Sequence, residues 1–413
     1  MDYIKRIYTH FLRDSLYRNS MYLMLSTLIL SFFGFFFWVI NARLYTSTQV
    51  GLATTLISLC TLLSSFSLFG MNSALLRYLP QTQRKDDTVN TSLSIISLAT
   101  AFVTIVYLLG IPFFSPKLTL LRESLSSAAA FILFMMMFVQ NLLVENVFIA
   151  YRSSVFVLIK NTLLCIVKII LPVFLVGLGA YGIFFSYAAG TITALIFGLF
   201  FLVTKFAFKP KLLLDTGIVR NMARFSLGNY IAGFLITLPS LSLPILISNT
   251  LNYKSSAYFY VDMMIANLLY TIPAATAQSL FAEGSHDVSR LPFYLRKSLY
   301  MTVPLMLFAM IVTLISGNLI LHAFGKEYAN EGFHFLQILV VSGILLIVNY
   351  LFPTVLKIQH KLRLLIAINF IGAVVILFLS WFLIKNGLIG IGIAWIIGQA
   401  VMSVLYLASY FRK

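Results

Sequence analysis

The chain has 413 residues; 60% belong to the apolar set from Ala to Cys and only 10% are charged. A soluble domain carries about 25% Asp, Glu, Lys and Arg, so too few charges exist to coat even one, and a soluble enzyme, a disordered tail and a secreted disulfide scaffold are excluded. The formal net charge of +17 would suggest nucleic acid in a soluble protein, but no basic block lies beside interleaved aromatics, and in a multi-spanning membrane protein the same excess marks cytoplasmic loops.

Residues 1–20 place Ile4, Ile7, Tyr8, Phe11 and Leu12 at helical spacing among Lys5, Arg6, Arg13 and Arg18. That is the pattern of a short helix lying in the membrane interface, or of a basic tail. Apolar windows of about 20 residues, the length that crosses a bilayer, follow at 21–41, 50–71, 92–111, 126–150, 154–177, 181–204, 225–248, 255–281, 299–321, 333–356, 363–384 and 388–411. The first is too long for a cleaved leader and lacks a small-x-small exit. The seventh holds Pro239 and Pro244; the eighth holds Asp262, Asn267, Pro273 and Gln278. Broken or polar helices at such depth line cavities or pack inside protein.

With the N-terminus inside, inner segments hold 21 of the 29 Lys and Arg residues and outer loops hold 6. The positive-inside rule therefore places both ends in the cytoplasm. The longest inner segment, 205–224, sits near the midpoint of the chain and reads as a linker. Landmarks recur across it: Asn141 and Asn161 match Asn349 and Asn369 at an offset of 208, and Gly179, Gly182 and Gly190 match Gly387, Gly390 and Gly398 at the same offset. Six spans per half enter the membrane from the same side, so the repeats run parallel. The expected fold is all-α, with twelve transmembrane helices in two six-helix lobes, 21–204 and 225–413.

No Walker-type G-x-x-x-x-G-K-[ST] appears, and the five histidines form no metal-ligand spacing. No catalytic constellation is legible, and neither cofactor nor metal is expected. Cys60 and Cys165 fall in apolar runs and read as small buried hydrophobes.

Ionisable groups inside the bilayer are costly and mark function by default. Glu145 and Lys160 flank Arg152 at similar distances, so in a helical hairpin they reach similar depth and either neutralise one another or snorkel to the interface. Lys168 lies about 12 Å deeper, on one stripe with Asn161 and Cys165, without a carboxylate at its level in its own hairpin. It faces an aqueous cavity or an internal ion pair. Asp262 reads as a cavity or coupling-ion residue, or as an interfacial acid. Thr54, Ser58, Thr61 and Ser65 form a hydroxyl stripe of the kind that marks close helix packing more often than ligand contact. Arg43 and Arg77 cap the ends of spans one and two, as substrate cations or as interface anchors.

The run Asn41-Ala42-Arg43-Leu44, Gly51, and Phe69-Gly70-Met71-Asn72-Ser73-Ala74-Leu75-Leu76-Arg77-Tyr78 resembles the start of the polysaccharide transporter family, the O-antigen-type flippases of the multidrug/oligosaccharidyl-lipid/polysaccharide (MOP) superfamily. The segments 323–329 and 387–394 fit its C-terminal half. The resemblance implies flipping of an isoprenoid-pyrophosphate-linked oligosaccharide by alternating access in the cytoplasmic membrane, with membrane lipids and glycan-assembly proteins as partners, a monomeric state and no nucleic acid. A coupling H+ or Na+ stays open. The family fixes no ligand-contacting cation by motif. Lys168 suits a phosphate as a point charge, and Lys168, Asp262, Arg43, Arg77 and Asn161 are the candidate substrate-binding residues. A drug/cation antiporter of the same superfamily would favour an acidic cavity, which Glu145 and Asp262 keep open. A major-facilitator carrier is disfavoured because its Asp-Arg-x-Gly-Arg loop is missing from 70–90, and a scaffold protein is disfavoured by Lys168.

Overall fold

A computed structural model describes residues 15–411 of the chain. The expected interfacial segment at 1–20 therefore lies, up to residue 14, outside the described residues, as do Arg412 and Lys413. Among the described residues there are thirteen α-helices and no strand: α1 Ser15–Leu44, α2 Ser47–Leu68, α3 Met71–Tyr78, α4 Lys85–Phe114, α5 Leu125–Ala150, α6 Ser154–Phe174, α7 Ala180–Phe206, α8 Thr216–Thr250, α9 Tyr253–His286, α10 Leu291–Phe324, α11 Lys326–Ile358, α12 Leu362–Leu383 and α13 Gly387–Phe411. All but the eight-residue α3 are long. Ten stretches are long and apolar enough to cross a membrane; the last of them, Leu362–Phe411, holds both α12 and α13, and α9 is equally long but more polar. These account for the twelve expected spans. Helix is the outcome because a bilayer offers backbone N–H and C=O groups no partner, and only a helix satisfies them within one segment.

Several boundaries differ from those read in the sequence. The second span does not run to 71. Phe69 (φ 42°) and Gly70 (φ 78°) are left-handed, which ends α2 at Leu68 and starts the separate α3. Arg77 is therefore carried by α3 and does not cap span two. The linker is shorter than 205–224, because α7 runs to Phe206 and α8 begins at Thr216. It is also tied down: Asn90 on α4 donates from Nδ2 to Lys209 O (2.9 Å) and accepts at Oδ1 from Lys211 N (2.9 Å), standing in for a strand edge.

The chain forms two compact units, Met1–Tyr45 with Cys60–Leu227, and Thr46–Leu59 with Gly228–Lys413. Thr46–Leu59 thus groups with the later residues and not with the rest of 21–204. The reason lies at the helix starts. A methyl group on Gly51 would fall 1.6 Å from Tyr253 O, so only glycine lets α2 lie this close to α9. Thr55 Oγ1 and Ser256 Oγ then share a hydrogen bond of 3.0 Å. This is the small-residue packing that holds membrane helices together when apolar burial cannot.

In the first unit α6 packs on α1 and α7. Tyr45 donates from its hydroxyl to Pro172 O at 2.6 Å, and α7 presents glycines to its neighbours: Gly190 lies against Leu164 O on α6 and Gly198 against Val144 on α5. In the second unit α11 is central, packing on α9, α10 and α13. Tyr270 on α9 donates to Leu339 O at 2.7 Å.

Candidate functional site

Polar groups gather at two places, one inside each unit. In the first unit the hairpin of α5 and α6 turns at Arg152 (φ 54°) and brings Lys160 Nζ to 3.0 Å from Glu145 Oε2, the pairing their spacing implies. Lys160 is fully buried, whereas Glu145 keeps 30% of its side chain exposed. The ammonium also donates to Asn141 Oδ1 (3.0 Å) and Asn161 Oδ1 (3.1 Å), and Asn161 Nδ2 donates to Ser26 Oγ (3.0 Å) and Glu145 Oε2 (3.2 Å). The three protons of Lys160 are thereby all used. Such satisfaction is what makes a buried ion pair tolerable.

Lys168 lies two helical turns further along α6 and is 7% exposed. Its ammonium sits 5.2 Å from the centroid of the Phe37 ring, within cation–π reach, and among the described residues it makes no hydrogen bond or ion pair. Gly190 makes room for it, since a methyl group there would lie 3.3 Å from Lys168 Cβ. Of the candidate residues, the structure brings Asn161 and Lys168 together on the buried face of α6. Arg43 and Arg77 are exposed at the ends of α1 and α3, the placement of anchors at an interface.

Asp262 belongs to the second unit. It is fully buried, and neither carboxyl oxygen has a hydrogen-bond partner among the described residues. A methyl group on Gly332 of α11 would fall 2.8 Å from Oδ2, so glycine at 332 is what admits the carboxyl. One turn before it, Tyr258 donates to Glu327 Oε2 (3.2 Å), which also accepts from Ser47 Oγ (2.7 Å).

The second unit also encloses a cavity of about 550 Å³ between α8, α9, α11 and α13, a size typical of small-molecule sites. Its deep wall carries Tyr270, Asn349, Trp395, Gln399 and Tyr406, and Lys357 is the one ionisable cation lining it. None of these residues was singled out from the sequence as a binding group; Asn349 counted only as a landmark of the repeat. The spacing of Trp395, Gln399 and Tyr406 on one face of α13 was the available signal, but it lies in a run otherwise apolar enough to read as plain helix packing.

A family model described as polysaccharide biosynthesis protein matches residues 16–281, and a second, MatE, matches 261–382. No curated protein matches the chain by sequence. Among solved structures, the chain is similar to a multidrug resistance MATE family transporter of the MOP superfamily in an inward-facing conformation (15% identity, covering 95% of this chain and 98% of that one, TM-score 0.73). It is also similar to the lipid II flippase MurJ in an inward closed conformation (13% identity, 94% and 87%, TM-score 0.77) and to an outward-facing MATE transporter (16% identity, 97% of each chain, TM-score 0.64). These likenesses extend over nearly the whole chain and give the fold, the all-helical MOP architecture. With the first family model covering well over half of its residues, the chain belongs to the polysaccharide biosynthesis protein family.

Proposed function

We propose that the protein is a flippase that moves an isoprenoid-pyrophosphate-linked oligosaccharide across the cytoplasmic membrane by alternating access, for the assembly of surface polysaccharide. The observation that carries this reading is Lys168, a buried ammonium with an aromatic face beneath it and no carboxylate beside it. An unpaired charge inside a bilayer protein is expensive, and an anionic headgroup is the ligand that offsets the cost. A pyrophosphate supplies several oxygens to one point charge. Membership of a polysaccharide biosynthesis family supports a glycan on that headgroup. In this reading the basic inner loops hold both chain ends in the cytoplasm, and Asp262 is the group that a coupling H+ or Na+ neutralises.

The alternative, export of cationic drugs, is favoured by the MATE likeness and by the buried acid Asp262. Reconstituted vesicles separate the two. The protein should translocate lipid-linked oligosaccharide and not accumulate a lipophilic cation, and Lys168→Ala should slow translocation about ten- to hundredfold, the worth of one hydrogen bond to a charged group. Lys168→Arg should keep part of the activity, because the charge survives while the geometry changes. Thermal unfolding of Lys168→Ala should match the parent. Full translocation by Lys168→Ala would end the assignment of Lys168, and uptake of the cation alone would end the flippase reading.

A further inference from the structure

The cavity of the second unit has no part in that account of Lys168, and its chemistry is specific. Its lining carries hydroxyl, amide and indole groups but no acid among the described residues. A lipophilic cation would therefore find no counter-charge there. A phosphate would find only Lys357, which is exposed. What the wall does offer is hydroxyl and amide groups beside apolar side chains.

The amides are organised. Asn349 Nδ2 donates to Gln399 Oε1 at 2.8 Å and to Gln399 O at 3.0 Å, and the single Ser403 hydroxyl proton has Gln399 O (2.9 Å), Asn349 Oδ1 (3.0 Å) and Leu345 O (3.2 Å) within reach. Both Asn349 N–H groups are thereby used, and they hold the Gln399 carbonyl end. The Gln399 amide nitrogen is left with two N–H donors and no partner among the described residues, although only 4% of the residue is exposed. On the same helix the Trp395 indole N–H is directed at the Tyr270 hydroxyl and has no surface open to the cavity. Buried donors are rarely left unpaired, because each one costs about 1–3 kcal/mol. A free amide donor on the wall of an open volume indicates a ligand that accepts hydrogen bonds.

We infer that this cavity is a binding site for an uncharged sugar residue, whose hydroxyl or acetamido oxygens accept from Gln399 Nε2 and whose apolar C–H face lies against lining side chains such as Met263, Ala277 and Leu346. A pyranose matches on each count: it has an apolar C–H face, a rim of groups that both donate and accept, and no charge. The inference rests on the flippase reading for the source of the sugar, which is the glycan of the lipid-linked substrate. It assigns that glycan a subsite within the second unit, apart from the ammonium that attracts the pyrophosphate.

The test uses the full-length protein carrying Ala274→Cys, a small change on the cavity wall, with Cys60 and Cys165 buried. Labelling by a methanethiosulfonate reagent is followed with glucose, N-acetylglucosamine, their β1,4-linked disaccharides, or tetraphenylphosphonium present. At least one saccharide should slow labelling, about tenfold at ten times its Kd, and tetraphenylphosphonium should not. Gln399→Leu in the same background should abolish the protection while the cysteine still labels. If the cysteine labels at the same rate with every saccharide, or if the cation alone protects it, the inference is overturned. Vesicle translocation of lipid-linked oligosaccharide that persists in Gln399→Leu overturns it too and leaves the flippase reading standing. Saccharide protection in a protein that translocates no lipid-linked oligosaccharide does the reverse.

Discussion

Helices α5, α6 and α7 of the first unit and α11, α12 and α13 of the second repeat one another at an offset of 208, and the frame is nearly the same. Each has a short 3-10 turn, Val176–Leu178 or Ile384–Asn386. Each turn leads into a glycine of positive φ, Gly179 (56°) or Gly387 (66°). Three residues on, Gly182 and Gly390 stand where a methyl group would fall 2.1 Å from Leu175 O and 2.0 Å from Leu383 O. Asn161 and Asn369 occupy the same position, each bonded to an earlier helix, at Ser26 Oγ and Ala232 O. The interiors differ. Glu145, Lys160 and Lys168 correspond to Pro353, Ile368 and Ile376. Gly198, which lies along the Lys160 stem, corresponds to Tyr406, whose hydroxyl donates to Asn369 Oδ1. At these positions the first unit carries charge, part of it in a satisfied ion pair; the second carries none and keeps a cavity whose lining has the cation Lys357 and no acid among the described residues. Duplication preserved the backbone contacts that set the fold and let the chemistry inside them diverge.

The largest effects should come from unbalancing the ion pair. Glu145→Leu leaves a fully buried ammonium facing only amide oxygens, at a cost of about 3 kcal/mol, the lower end for breaking a buried pair because Glu145 is partly exposed. Lys160→Ile, which installs the residue of the matching position, should cost less, since Glu145 keeps Asn161 and some water. The double variant should cost less than the sum, because an apolar pair of similar volume replaces both charges. Thermal unfolding in detergent gives the cycle. Strict additivity would mean that the two charges do not act as a pair, and the contrast between the units would lose its basis.

The next effects should be the same in both units. Gly182→Ala and Gly390→Ala each force a methyl group onto a backbone carbonyl that cannot swing away, and should each cost about 1–3 kcal/mol or more. Folded yield and unfolding temperature should fall in parallel. A harmless change at either site would break the claim that these glycines set one shared frame.

This division explains what the sequence discloses. The twelve spans and the glycine pairs were legible, because apolar length and repeat spacing are local properties of the chain. The Glu145–Lys160 pair was legible too, since a hairpin turning at Arg152 converts spacing into depth. The break at Phe69–Gly70 was hidden, as apolar residues continue on both sides and hydropathy has no term for a left-handed backbone. Two further features depend on which helices meet: the grouping of Thr46–Leu59 with the second unit, fixed by Gly51 against Tyr253 O, and the cavity around Gln399. No window along one segment contains that information.

The smallest effect should come from the exposed ion pair that matches the buried one in charge. Arg84, at the start of α4, contacts Asp215 at 3.0 Å, and Asp215 also accepts at Oδ1 from Gly217 N and Ile218 N, where it caps α8. The N–H of Ile218, with Arg84 and the N–H of Gly217, holds the Asp215 carboxyl below the usual carboxylate range. A carboxyl lowered in the folded state stabilises the fold while it is ionised. Its contribution is complete above the unfolded value of about 3.9 and drains away as pH falls through the lower folded value. Asp215→Asn keeps a capping oxygen and removes the charge. Its unfolding temperature should therefore sit slightly below the parent's from pH 5 to 7, and the gap should close towards pH 3. In water the Arg84 interaction is screened, so the gap should be smaller than that of either Glu145→Leu or Lys160→Ile. An equal gap would show that burial does not set the worth of an ion pair in this unit, and the contrast drawn from Lys160 would fail with it.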